Sequence, residues 1–331
     1  MGISALLLLV GIVILIIAGD WMVRGAAALA RHWGIPALIV GLTIVAFGTS
    51  APELFVSIQA VLNGTSQLAA GNVIGSNIAN VLLALGAPAL IMAIPTNMAG
   101  VGRNALVALF ATALFIGLAL IQSPLLIWQG AILFACILIY LIWMFRLARA
   151  GTEDPILTEM TEIDEGEDGL PDKTWLSAVF LIVGFIGLAV GGSLIVEHAS
   201  VIAAGFGVSE TIIGLTIVAI GTSLPEVTTV VIAAYRGQAE VAIGNVLGSN
   251  IFNIFAVAGA ASLTGPVLIE KQLLVFDIWV MAAAMIALFV IILTRMPIGK
   301  KTGAIFPWRL CALSRRACAG CDLGLKTPPS C

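Results

Sequence analysis

Charge is what this sequence has least of. Only 10% of its 331 residues are Asp, Glu, Lys or Arg, against 60% hydrophobic, and the mean hydropathy is +1.13. A soluble domain carries about 25% charged residues, so a water-soluble globular protein is excluded. The apolar residues fall in successive runs of roughly 20, the length of a membrane-spanning helix. No Lys or Arg precedes the first run, Leu6 to Ile17, so the basic start of a signal peptide is missing. Cysteine is scarce in the apolar part. Cys136 stands there alone, and Cys311, Cys318, Cys321 and Cys331 all lie in the last stretch, which argues against a disulfide scaffold. Cys318 and Cys321 have no second ligand pair at zinc-finger spacing. No nucleophile–base pair or metal triad stands out, so the chain is read as a non-enzyme with no cofactor.

What is present is a repeat. Gly41 to Glu53 reads GLTIVAFGTSAPE and returns at Gly214 to Glu226 as GLTIVAIGTSLPE, an offset of 173 residues (41 to 214). Gly71 to Asn80, GNVIGSNIAN, returns at the same offset as GNVLGSNIFN, Gly244 to Asn253. Both blocks gather Gly, Thr, Ser, Asn, Pro and one Glu per GTSxPE in apolar surroundings, where polar groups are costly without partners or a purpose. Gly/Pro-interrupted apolar segments at matching positions of two halves point to a transporter binding site.

The sequence predicts helices over about 4–30, 36–62, 68–94, 104–121 and 125–145, then about 174–204, 210–235, 240–263 and 273–294. Between the halves lies an acidic connector that includes Glu153, Asp154, Glu159, Glu162, Asp164, Glu165, Glu167, Asp168 and Asp172. It lacks EF-hand spacing and reads as a solvated linker. The expected organisation is a first five-helix repeat over 1–146, a cytoplasmic loop over 147–173, a second repeat over 174–306 and an atypical tail over 307–331. The fold class is an all-α integral membrane protein with inverted repeats of five helices, the tenth lost or altered. Correspondence between the halves stops at Pro307, and Arg309, Arg315, Arg316 and Asp322 interrupt the apolar run expected there.

With the N-terminus outside, Arg31, Arg103, Arg146, Arg149, Lys173, Arg236, Arg295, Lys300 and Lys301 fall inside, and Lys271 falls outside. That is the positive-inside pattern of a multi-pass protein of the cell inner (plasma) membrane. An odd number of helices per half makes the repeats enter the membrane in opposite senses, as alternating access requires. Asp20 and Arg24 stand at i,i+4 and read as an intrahelical pair.

In helix two, Thr49, Ser50 and Glu53 lie within about one turn beside Pro52, which removes a backbone donor. Thr222, Ser223, Glu226 and Pro225 repeat this in helix seven. Ser76 and Asn80 share one face of helix three, as Ser249 and Asn253 do on helix eight. Every group is an oxygen donor, with no His or Cys among them. Such a set argues against zinc or copper and suits hard cations such as Ca²⁺ and Na⁺. Small residues such as Gly71, Gly75, Gly244 and Gly248 also let helices approach.

GTSAPE with GNVIGSNIAN, and GTSLPE with GNVLGSNIFN, resemble the α-repeats of the sodium/calcium exchanger family of cation/calcium antiporters, in its prokaryotic form, over about residues 2–306. The resemblance implies a ten-helix fold, a site near mid-membrane and exchange of three Na⁺ for one Ca²⁺. The substrates are then Ca²⁺ and Na⁺ and the surroundings a lipid bilayer, with no nucleic acid and no obligate protein partner. It implies ion ligands at Ala46 and Ala219 through their carbonyls, and at Thr49, Ser50, Glu53, Ser76, Asn80, Thr222, Ser223, Glu226, Ser249 and Asn253. Potassium-dependent relatives carry Asp where Asn253 stands, so K⁺ co-transport is not expected. A Ca²⁺/H⁺ antiporter is the alternative, although the GNxxE pattern of that branch is missing after Asn72.

Overall fold

The computed structural model describes residues 2–35, 37–91, 93–149, 171, 173–206, 221 and 223–299. In the first half α1 is Gly2–Trp33, α2 is Gly41–Thr49, α3 is Ala51–Leu62, α4 is Ser66–Ala79, α5 is Gly86–Ile91, α6 is Val101–Ile121 and α7 is Ile127–Arg149. In the second half α8 is Thr174–Gly205, α9 is Leu224–Tyr235, α10 is Ala239–Phe252, α11 is Gly259–Thr264 and α12 is Ile278–Leu293. Among the described residues, 7 helical stretches are long and apolar enough to cross a membrane, or up to 8 if α2 and α3 form one bent span. The protein is an all-helical membrane protein. Without water to satisfy the backbone inside a bilayer, helices are the structure such runs must adopt.

The sequence repeat is kept residue for residue. Its offset carries the ends of α3 onto those of α9, and the ends of α4 onto those of α10. Each of α4 and α10 then passes into a π-helical turn, Asn80–Ala84 and Asn253–Ala258, before α5 and α11. The halves also interlock. Ile94 bridges Ile298, and Leu125 bridges Val267, each through a pair of 2.9 Å backbone hydrogen bonds. The offset takes Ile94 to Val267 and Leu125 to Ile298, so exchanging the halves exchanges the two bridges.

Two close contacts set the helix arrangement. Along α1 and α8 a stripe of glycines lets the backbones touch. A Cβ on Gly25 would lie 2.8 Å from the Ser177 carbonyl, one on Gly184 2.7 Å from Met22 Cβ, and one on Gly191 2.9 Å from the Leu15 nitrogen. Asp20 keeps its i,i+4 partner Arg24 at 3.6 Å and also pairs with Arg236, just beyond α9. Arg24 in turn lies over the Phe180 ring of α8, 5.3 Å from its centroid. The second contact is α2 on α10, which is buried throughout 241–259. A Cβ on Gly248 would stand 2.6 Å from Ala46 Cβ and from the Leu42 carbonyl. Backbone cannot yield as a side-chain tip does, so Gly248→Ala is expected to destabilise the protein by about 1–3 kcal/mol. A lowered thermal transition of the purified protein in detergent checks this.

Helix two differs from the expected unbroken run over 36–62. It is bent by 47° between α2 and α3, at Ser50. The reason is that proline is harmless in the first turn of a helix, where no backbone donor is needed. The chain therefore starts a new helix with Pro52 in that turn, and the break moves two residues upstream. The expected helix over 68–94 likewise starts at Ser66 and is interrupted by its π turn. Among the described residues, none outside α4 lies within 4 Å of a Cβ on Gly71 or Gly75. Residues 207–220 lie outside the described residues. So do the acidic residues Glu153 to Asp168 and Asp172, the first part of helix seven, and the tail over 307–331 where the tenth helix was expected to be missing.

Candidate functional site

The break at Ser50 builds the site. Glu53 stands in the first turn of α3, and Glu226 in the first turn of α9, where the free N–H groups and the helix dipole favour a negative charge. Ser50 and Ser223 occupy the N-cap positions with matching backbone angles (φ −86°, ψ 2° and φ −88°, ψ 2°), yet neither side chain caps its own helix. Both hydroxyls turn to the other half. Ser50 Oγ donates to Glu226 Oε1 at 3.1 Å, and Ser223 Oγ donates to Ser76 Oγ at 3.3 Å. A serine N-cap contributes about 1 kcal/mol to its helix, and here that bond is given up at both repeats.

The described candidates converge. Thr49 Oγ1 lies 3.3 Å from Ser249 Oγ, across the halves. Thr49, Ser50, Glu53, Ser76, Ser223 and Ser249 are all buried, and Glu226, Asn80 and Asn253 are fully so. Ala46 is buried as well, with its carbonyl accepting the Ser50 N–H at 3.0 Å and the Thr49 hydroxyl at 3.3 Å. Ala219 and Thr222 lie outside the described residues. The π turns begin at Asn80 and Asn253, so the polar pairs on α4 and α10 sit where the helical ladder is locally widened.

The electrostatics follow from this donor set. Glu53 and Glu226 are the buried charged groups among the described residues, and no Lys, Arg or His is buried beside them. Among the described residues, both oxygens of Glu53, Oε2 of Glu226, and the side-chain oxygens of Asn80 and Asn253 have no hydrogen-bond donor. Buried acceptors without donors are costly and rare. An acceptor-rich group of carboxylates, hydroxyls and amides suits a hard cation, which supplies positive charge where the protein offers none. The amide groups of Asn80 and Asn253 likewise have no partner among the described residues, which leaves these side chains able to present oxygen.

α8 lies across both repeats at this depth. A Cβ on Gly48 would fall 1.8 Å from Phe185, and one on Gly221 would fall 1.9 Å from Val196. The glycine of each GTS therefore gives room to a side chain of α8.

Two residues in the site were not among the sequence candidates. Asn72 donates to the Glu53 carbonyl at 3.3 Å and to Ser57 Oγ at 3.0 Å. Asn245 donates to the Glu226 carbonyl at 3.5 Å and accepts from Thr49 at 3.1 Å. Their signal is present in the repeated GN, four residues before Ser76 and Ser249 on the same helical face.

The chain is similar to known proteins along most of its length. A family model described as sodium/calcium exchanger protein matches residues 3–146 and 176–309. The sodium/calcium exchanger MaX1 of Methanosarcina acetivorans is 31% identical over 333 residues, 92% of this chain and 95% of its own. The putative antiporter CaxA of Alkalimonas amylolytica is 39% identical, covering 87% of this chain and 89% of its own. A solved structure of the sodium-calcium exchanger NCX_Mj, soaked with 100 mM Na⁺ and 10 mM Sr²⁺, superposes with a TM-score of 0.79 at 29% identity, covering 98% of this chain and 99% of its own. The motifs, the helical architecture and the family match agree: this chain belongs to the sodium/calcium exchanger family of membrane antiporters.

Proposed function

We propose that the chain exchanges Na⁺ for Ca²⁺ across the membrane by alternating access, with three Na⁺ moving against one Ca²⁺. The observation that carries this reading is the pair of buried carboxylates, Glu53 and Glu226, set among hydroxyl and amide oxygens of both halves with no buried cationic side chain beside them among the described residues. Thr49, Ser50, Glu53, Ser76, Asn80, Ser223, Glu226, Ser249 and Asn253 bind the ions through side-chain oxygens, with Thr222 and the carbonyls of Ala46 and Ala219 completing the set. Ca²⁺ takes roughly 6–8 oxygens, and such a set can supply them from side chains and carbonyls alone. The name of MaX1 and the Na⁺ and Sr²⁺ soaks of NCX_Mj support sodium as the coupling ion.

The halves, 1–146 and 174–306, are oppositely inserted repeats joined by a cytoplasmic loop, with the N-terminus outside an inner membrane. The exchange of the Ile94 and Leu125 bridges under the repeat offset supports a two-fold relation between them. The family and the inner membrane protein YrbG of Escherichia coli, 35% identical over 270 residues, support the location.

Purified protein in liposomes tests the reading. An imposed Na⁺ gradient is expected to drive ⁴⁵Ca²⁺ uptake, with no requirement for K⁺, because amides stand at both Asn80 and Asn253. Uptake driven by a pH gradient without Na⁺ would instead make the protein a Ca²⁺/H⁺ antiporter. A steep K⁺ dependence at clamped voltage would contradict the assignment of these two amides.

A further inference from the structure

We propose that Asn245 is a positioning residue for ion coordination, accepting the hydroxyl protons of Thr49 and Ser249 so that their lone pairs turn to the bound cation. This rests on the reading of these residues as ligands. A hydroxyl has one proton and two lone-pair acceptor sites. To coordinate a cation it must direct a lone pair inward and send its proton elsewhere. In water the solvent takes that proton. Thr49 is 1% exposed and Ser249 fully buried, so a fixed acceptor in the protein must take it.

Asn245 is placed for this. It is fully buried on α10, one turn before Ser249. Its Oδ1 receives Thr49 Oγ1 at 3.1 Å and Ser249 Oγ at 3.4 Å, one hydroxyl from each half. An amide oxygen has two lone pairs and no proton of its own, so two donors use its full capacity. Its Nδ2 donates to the Glu226 carbonyl, fixing which end of the amide faces the hydroxyls. The other acceptors within reach of Thr49 are the Ala46 carbonyl, at a longer 3.3 Å and already holding the Ser50 N–H, the Ser249 hydroxyl, also at 3.3 Å and itself donating to Asn245, and the Glu226 carboxylate, which the bound cation would claim. Asn245 thus joins α2, α9 and α10 at one amide, without itself touching the ion.

A carboxylate in its place would keep the acceptor and lose the donor, and a leucine would lose both. Equilibrium ⁴⁵Ca²⁺ binding to the purified full-length protein reads the difference, alongside the Ca²⁺ KM and maximal rate of exchange in liposomes. Asn245→Leu is expected to weaken Ca²⁺ binding and raise the KM about tenfold, with a much smaller change in maximal rate per folded protein. In a Thr49→Val, Ser249→Ala background, the same substitution is expected to change Ca²⁺ binding less than about twofold, since coupled residues are non-additive. Equal losses in both backgrounds would overturn the proposal, as would a fall in maximal rate at unchanged KM. Asn245→Asp covers the case in which the leucine variant fails to fold. It is expected to bind Ca²⁺ at least as tightly as wild type, and a tenfold weaker binding would overturn the role of the acceptor oxygen. Wild-type protein that binds no Ca²⁺ would overturn the ligand reading and this proposal with it, whereas wild-type binding with additive variants overturns the proposal alone.

Discussion

Glu53→Gln and Glu226→Gln are each expected to abolish Na⁺-driven Ca²⁺ uptake while leaving the protein inserted and folded. Glutamine keeps the shape of the side chain, so the contacts of α3 and α9 survive. What changes is charge. The site holds two carboxylates and no buried cationic side chain beside them among the described residues, so removing one leaves a bound Ca²⁺ with one uncompensated positive charge in a low-dielectric setting. Uncompensated buried charges cost about 3–5 kcal/mol, or roughly a hundredfold to several thousandfold in affinity. The two variants differ in detail. Glu226 Oε1 accepts the Ser50 hydroxyl, whereas Glu53 has no donor at either oxygen among the described residues. Each loss is still expected to be near complete. Uptake close to wild type in either variant, measured in liposomes with matched protein content, would remove that carboxylate from the ion site.

The second large effect is voltage. With Glu53 and Glu226 ionised, the site is neutral with Ca²⁺ bound and carries one positive charge with three Na⁺ bound. One elementary charge then crosses per cycle, and each 100 mV biases the cycle by about 2.3 kcal/mol. That equals a roughly fiftyfold shift in the Ca²⁺ ratio the cycle can sustain. In liposomes loaded with Na⁺ and placed in Ca²⁺, uptake moves net positive charge outward. An inside-positive potential is therefore expected to raise Ca²⁺ accumulation and an inside-negative one to lower it. K⁺ gradients with valinomycin set the potential. Accumulation that ignores it would mean two Na⁺ per Ca²⁺, and an electroneutral exchanger.

The acidic and hydroxyl groups of the candidate site stand out in the sequence because they occur twice in one frame. Glu53 and Glu226 cannot be coincidental surface groups when each closes a GTSxPE inside an apolar run. Asn245 was harder to see, because its role depends on two hydroxyls, and the Thr49 hydroxyl lies on a helix far away in sequence. The π turns at Asn80 and Asn253 leave no mark in composition, since the same residues would serve an ordinary helix. Pro52 signalled a break but not its place, which is set two residues earlier by where a new first turn can begin. The pairing of α1 with α8 was invisible for another reason. Gly25 and Gly184 show that something comes close, but glycine does not name its neighbour.

The contacts that cross between the halves bear on how the protein is made. Domains made on the ribosome fold from the N-terminus onward, so α2 to α4 exist before α9 and α10 have been synthesised. During that interval Thr49 lacks Asn245 and Ser249, Ser50 lacks Glu226, and Ser76 lacks Ser223. Ile94 and Leu125 likewise wait for Ile298 and Val267. The newborn first half is therefore an incomplete wall with unpaired polar groups facing lipid or trapped water. Its maturation is a templating event, in which the arriving second half supplies a partner for each of these groups. A chain cut short before α10 lacks Asn245 and Ser249 for Thr49, and Val267 and Ile298 for the two bridges.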